Sequence, residues 1–309
     1  MKEVTIYDIA KRLNISAASV SRAISNNTNV SPATRKKVLQ AAEEMGYRVN
    51  NFARNLRKDR NNKLIGVIFH KLNSQFSINA LYSIEKVIRN AGYDIIICHS
   101  AESHEQEIIN AENLFQRRVD GLIVGLATDV DSLDHFSKYL DNDIPVFLFD
   151  RVKTDFPGVK VVLDNFNAAY NATKHLIDQG CKRIVHIAGK QSSSVYIERL
   201  NGYKYALASS NIPFDPALVL LRGVDAEAAP LLAADILGMP PLPDGIFAVN
   251  DLCAVLCMKA LMKAGIRIPK DIAFVGFNND TISTIIEPNL TSVSYSGVEI
   301  RRDCGKRDY

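Results

Sequence analysis

Three groups of residues in this 309-residue chain have types and spacing that can do chemistry. The first is the short face Ser16, Ala17, Ala18, Ser19, Ser21 and Arg22, which holds no acid. Side chains this small can lie against base edges, while hydroxyls and a guanidinium can meet phosphates. The second group is the polar pairs that end apolar runs: Asp150-Arg151 after VFLF, Asn250-Asp251 after FAV, and Asn278-Asn279 after VGF. Such residues accept from and donate to hydroxyls, although Asn or Asp at these points most commonly caps a helix. The third is the cysteines and histidines. Cys98, Cys181, Cys253, Cys257 and Cys304 are odd in number and scattered, which fits reduced thiols in a cytosol. Cys253 and Cys257 stand four apart on a predicted helix, but no neighbouring His or Cys completes a metal site, so both read as buried small hydrophobes. His70, His99, His104, His135, His175 and His186 are dispersed and read as surface or core residues rather than catalysts.

The first group needs helices to present it. Thr5 can cap a helix, with Asp8 three residues on, and Ile6, Ile9, Ala10 and Leu13 share one face. Asn14 tolerates the left-handed conformation that ends it. Ser16 starts a second helix with Val20, Ala23 and Ile24 inward and the polar face outward. Ser31-Pro32 start a third, a Ser cap followed by Pro at the first helical position, with Val38, Ala42 and Met45 apolar and Gly46 closing it. Two short helices joined by a three- or four-residue turn match a helix-turn-helix. Arg35, Lys36 and Lys37 add positive charge, whereas a plain three-helix bundle has no need of an acid-free outer face. The second group needs strands. LIGVIF, DIIICH, GLIVG, PVFLFD, RIVHIAG, GIFAVN and DIAFVGF are short apolar runs separated by helical stretches. They predict parallel strands covered on both faces, in two sets around 64–150 and 184–277. The fold class is therefore α/β: a three-helix head and two doubly wound parallel-sheet subdomains.

Net charge is +3 and unevenly distributed. Residues 1–60 hold 12 Lys+Arg against 5 Asp+Glu, and the remainder holds 25 against 29. A basic head on a mildly acidic body is the footprint of a nucleic-acid binder. No apolar run approaches the ~20 residues that span a bilayer, and MKEVTIYDIA lacks a signal-peptide core.

The stretch TIYDIAKRLNISAASVSRAISN, followed by VSPATRKKVLQAAEEMGYRVN, resembles the DNA-binding head of the lactose/galactose repressor (LacI/GalR) family of bacterial regulators. T-x-x-D-I-A, V-S-R and the run from V-S-P to M-G-Y fall at that family's positions. The resemblance implies that Ala17 and Ala18 read bases, where they meet thymine methyls without donating hydrogen bonds. It makes Arg22 a guanine or phosphate contact, and Thr5, Tyr7, Ser16 and Ser21 phosphate contacts. In the polar, basic stretch YRVNNFARNLRKDRNNK, Asn50 to Lys58 can form two helical turns, and FARNL matches the family's hinge helix. Leu56 would then wedge the minor groove beside Ala53, repaying unstacking by bending the DNA.

For the body, whose core resembles a periplasmic sugar-binding protein, the resemblance implies an effector site between the subdomains. Asp150, Arg199, Asn250 and Asn278 would contact the ligand, with Phe76 and Tyr295 as aromatic walls. Many family members have Asp at the position of Asn278, and its loss leaves room for a less basic or even acidic ligand. The expected domains are 1–47 (helix-turn-helix), 48–63 (hinge helix and linker) and 64–309 (core). Subdomain one comprises 64–162 plus 294–309, and subdomain two 163–293. The family continues with an amphipathic helix where this chain ends RRDCGKRDY, so the resemblance implies a truncated or frame-shifted end.

The expectation is a cytoplasmic, nucleoid-associated homodimer that binds near-palindromic operator DNA. It answers a small-molecule effector, a sugar or sugar derivative, without cofactor, metal or membrane. Two alternatives stand beside it. An enzyme finds no support in motifs: G-x-x-x-x-G-K-[ST], G-x-G-x-x-G after a strand, H-E-x-x-H and G-x-S-x-G are all missing. A periplasmic solute binder would share the body but not the head.

Overall fold

The computed structural model describes residues 4–25, 30–47, 62–128 and 130–294. It divides into two compact units, residues 1–62 and 63–309. Lys63 belongs to the second unit, one residue earlier than the expected core boundary, because its carbonyl already accepts the Asp94 N–H at 2.7 Å.

The head consists of α1 (Ile6–Leu13), α2 (Ala17–Ile24) and α3 (Pro32–Glu44). Each start is fixed by local chemistry. Thr5 donates its N–H and hydroxyl to Asp8 at 2.8 and 2.7 Å, Ser16 accepts the Ser19 N–H at 3.1 Å, and Ser31 accepts that of Thr34 at 3.2 Å. Asn14, at φ 52°, ends α1, and Gly46, at φ 68°, follows α3. Ile9, Val20, Ala23, Val38, Ala41 and Ala42 form the buried core of this unit.

The body holds two five-stranded, all-parallel sheets. The first comprises β1 (Leu64–Phe69), β2 (Asp94–His99), β3 (Gly121–Val124), β4 (Val146–Phe149) and β5 (Val159–Val161), in the order β2-β1-β3-β4-β5. The second comprises β6 (Ile184–Ile187), β7 (Val219–Leu220), β8 (Gly245–Ala248), β9 (Ala273–Phe277) and β10 (Thr291–Val293), in the order β7-β6-β8-β9-β10. Numbered within its own half, each sheet has the same order, so the body is a topological duplication. The helices between strands are α4 (Gln75–Asn90), α5 (His104–Gln116) and α6 (Ser137–Asp141) in the first half. In the second they are α7 (Asn165–Asp178), α8 (Ser194–Ser209), α9 (Ala229–Leu237), α10 (Asp251–Lys263) and α11 (Ile282–Ile285). Apolar clusters fill the layers between helices and sheet in each half. Cys253 and Cys257 are both fully buried in one of them, as expected, and burial pushes both thiols up to about 12.

Helices α7 and α8 approach closely, and Gly202 permits it. A Cβ there would sit 2.3 Å from the Phe166 carbonyl oxygen and 2.9 Å from both Ala169 Cβ and Tyr170 N. Gly202→Ala is therefore predicted to destabilise the body by about 3 kcal/mol, the upper end for overpacking. A urea midpoint indistinguishable from the parent protein would show instead that the helices part freely.

Candidate nucleic-acid interface and effector cleft

In the head, α2 presents the expected outward face with one correction. Ala18 and Arg22 are exposed, and Ser16 and Ser21 are accessible, but Ala17 packs partly against the head core. The reason is angular: Ala17 lies three and seven residues before Val20 and Ile24, on the side of the helix that meets α1 and α3. Tyr7 is 67% exposed, while the Thr5 hydroxyl is already spent on Asp8. Ala53, Leu56 and Tyr295 lie outside the described residues.

In the body, the carboxyl ends of the strands carry the polar groups, the place where open α/β sheets bind ligands. Asp150 follows β4 in a left-handed conformation (φ 60°) and is 7% exposed. Beside it, Arg151 donates Nη1 to Glu102 Oε2 at 2.6 Å and Thr128 Oγ1 at 2.8 Å. Burial raises the Glu102 carboxyl, but the Arg151 hydrogen bond and charge prevail and hold it at about 2. His70, at the end of β1, is buried; desolvation first and then the Arg151 charge lower it to about 4, so it is neutral.

From the second sheet, Arg199 of α8 is 3% exposed. Its Nε donates to Asn165 Oδ1 at 3.0 Å, Nη1 donates to the Val249 carbonyl at 2.5 Å, and Cζ stands 3.5 Å from the centre of the Phe277 ring. The expected ligand fork is thus also a strut joining α7, α8 and the ends of β8 and β9. Asn250 realises the capping role foreseen for such positions: Oδ1 accepts the Cys253 N–H at 2.8 Å, and Nδ2 donates to the Val224 carbonyl at 3.0 Å. Asn278, at φ 108°, lies beside Asp280 and donates its N–H to Val293. Phe76 is buried at the start of α4.

Arg151 stands over the Tyr196 ring, Cζ 5.9 Å from its centroid, and burial raises the Tyr196 hydroxyl while the Arg151 and Arg199 charges oppose the rise. Tyr196, Glu102, Thr128 and His70 were missed as site residues. His70 ends the legible run LIGVIFH, and Arg151 stands next to Asp150, so both carried a positional signal. Glu102 and Tyr196 carried none, because only the fold brings them to Arg151. Next to Asn250, Asp251 is fully buried and accepts from the Ser292 hydroxyl (2.6 Å) and the Asp280 N–H (2.7 Å), and desolvation raises it to about 6. Among the described residues no group of His, Cys, Asp and Glu could hold a metal ion, and no helix is long and apolar enough to cross a membrane.

Known proteins share this fold. Residues 5–50 match the family described as "Bacterial regulatory proteins, lacI family", and residues 62–300 match "Periplasmic binding proteins and sugar binding domain of LacI family". Catabolite control protein A of Priestia megaterium is 30% identical over 293 residues, covering 94% of this chain and 87% of that protein. The HTH-type transcriptional repressor PurR of Photobacterium profundum is 30% identical over 292 residues, covering 94% and 86%. Among solved structures, a complex of the transcriptional regulator CelR with cellobiose superposes with a TM-score of 0.70 at 25% identity, covering 99% of this chain and 95% of that one. The Lac repressor dimer bound to operator and the anti-inducer ONPF superposes with a TM-score of 0.81 at 24% identity, covering 98% and 91%. This chain belongs to the LacI family of bacterial transcriptional regulators, with a DNA-binding helix-turn-helix head and an effector-binding body.

Proposed function

We propose that this chain acts as a cytoplasmic, nucleoid-associated homodimeric repressor. Its affinity for a near-palindromic operator is set by a sugar or sugar derivative bound between the body subdomains. One observation carries the reading: a capped, acid-free second helix shares a chain with two parallel sheets whose strands end in polar residues. The related Lac repressor and CelR structures hold operator DNA and a sugar respectively, which supports the same pair of partners here. In this reading Ala18 and the half-exposed Ala17 meet thymine methyls, Arg22 takes guanine or phosphate, Tyr7, Ser16 and Ser21 take phosphates, and Thr5 does so by releasing Asp8. Ala53 and Leu56 form the minor-groove wedge. Phe76, Asp150, Arg199, Asn250, Asn278 and Tyr295 line the effector site, and the chain performs no catalysis.

Selection of bound duplexes from a random pool, with and without candidate sugars, tests the whole reading. Recovery of one near-palindrome whose enrichment responds to a sugar supports it, and no enrichment over competitor overturns it. Leu56→Ala is expected to weaken operator binding about tenfold or more while leaving non-specific binding within twofold, since only the bent complex uses the wedge. Gel shifts at matched salt would check this, because phosphate contacts weaken steeply with salt. Equal losses on both duplexes would remove the wedge. Titration calorimetry against a neutral sugar and its uronate addresses Asn278, and preference for the neutral sugar would contradict an acidic ligand.

A further inference from the structure

The two subdomains also touch through side chains to which the effector reading gives no role. Tyr196, in the first turn of α8, packs against Gly189, where an added Cβ would come within 3.2 Å of two ring carbons. Over the ring stands the Arg151 guanidinium of the other subdomain, Cζ 5.9 Å from the centroid. Arg151 is not free to swing away. Its Nη1 is held by Glu102 and Thr128, and Thr128 donates both its N–H (3.1 Å) and its hydroxyl (2.5 Å) to the same Glu102 oxygen. One residue further on, the Val152 N–H crosses to Ser194 Oγ at 3.2 Å. Both partners of the ring contact are thus fixed from behind within their own subdomains, so the contact constrains the angle between the two.

We propose that Arg151 and Tyr196 form a clasp across the cleft that sets its closure, with Glu102 as the positioning residue that aims the guanidinium. The proposal rests on the effector-cleft reading above and specifies how that site is regulated. A ligand that enters beside Asp150 and Arg199 meets the same ring that Arg151 covers, so occupancy and closure are coupled through one aromatic face. A cation over an aromatic ring, partly withdrawn from water, is strong enough to shift such an equilibrium severalfold.

Hydrogen–deuterium exchange on the full chain, without DNA or sugar, tests the clasp by reading each substitution on the opposite subdomain. Tyr196→Ala should accelerate exchange in 148–154 about fivefold, the factor one such contact is worth. Glu102→Gln should do the same in 193–198. Tyr196→Phe keeps the ring and should match the parent protein, and 273–277 in the core of the second sheet should not change in any variant. Acceleration confined to the substituted subdomain, or equal effects of Tyr196→Phe and Tyr196→Ala, overturns the proposal. Should Tyr196→Ala fold poorly, Glu102→Gln decides alone. Failure of the regulator reading would appear separately, as loss of sequence-specific or sugar-dependent DNA binding with exchange coupling intact.

Discussion

Arg199→Ala is expected to abolish the effector response and to destabilise the body by about 4 kcal/mol or more. The size follows from what the side chain holds. Truncation strands the Val249 carbonyl and Asn165 Oδ1 away from water, each costing about 1–3 kcal/mol. It also removes a guanidinium stacked 3.5 Å over Phe277, worth about 2 kcal/mol when desolvated. The same groups end β8 and β9 and start α7, so their loss loosens the floor of the second subdomain as well as any ligand contact. Arg199→Lys separates charge from geometry, because an ammonium restores the cation but neither the planar stack nor the fork. Its stability should fall between parent and Ala. Sequence-specific DNA binding should survive in both variants, since the head is a separate compact unit. Chemical denaturation and gel shifts with and without sugar give the two readouts. A parent-like denaturation midpoint would show that the strut carries no load, and a preserved sugar response would place the ligand elsewhere.

How far the fold was legible depends on whether an element buries a whole apolar run. β6 and β8 do, and β1 does over its last four residues, so LIGVIF, IVHI and GIFA announced themselves as covered parallel strands. β5, β7 and β10 did not. They are edge strands of three, two and three residues, too short for any period, and they exist because a longer neighbour offers a free ladder. The head was legible almost to the residue, because Thr5, Ser16, Ser31, Asn14 and Gly46 act through bonds within four positions of themselves. The site was half legible. Asp150, Asn250 and Asn278 stand where strands end, which a pattern can locate, but whether Asn250 faces a ligand or caps α10 depends on Val224 and Cys253, known only once folded. Glu102 lies 49 residues from Arg151 and could not be paired with it by any local rule.

Acid should unfold the body earlier than its carboxylates alone would require, and His186 is a main cause. The imidazole is fully buried between Tyr203 and Phe247, stacked at centroid distances of 5.0 and 4.6 Å. Desolvation lowers it to about 3, although its hydrogen bond to the Phe247 carbonyl opposes the shift. The unfolded chain takes up a proton near pH 6.5 that the folded one refuses, so stability is full above that value and falls as pH drops. By pH 4 the loss from His186 reaches about 3 kcal/mol, at ~1.4 kcal/mol per unit. His70, lowered to about 4, acts in the same direction over most of that window. Asp251, raised to about 6, acts oppositely between 6 and its ordinary range, because there the folded chain holds the extra proton. Glu102, held at about 2, contributes stability that is complete above its ordinary range and lost only at lower pH. His186→Phe keeps a flat ring in the stack and removes the buried Nε2 that has no hydrogen-bond partner. Between pH 6.5 and 4.5 its unfolding free energy should depend on pH less steeply than the parent's by ~1.4 kcal/mol per unit. Parallel pH profiles for the two proteins would assign the acid sensitivity to other groups and show that His186 is solvated before the body opens.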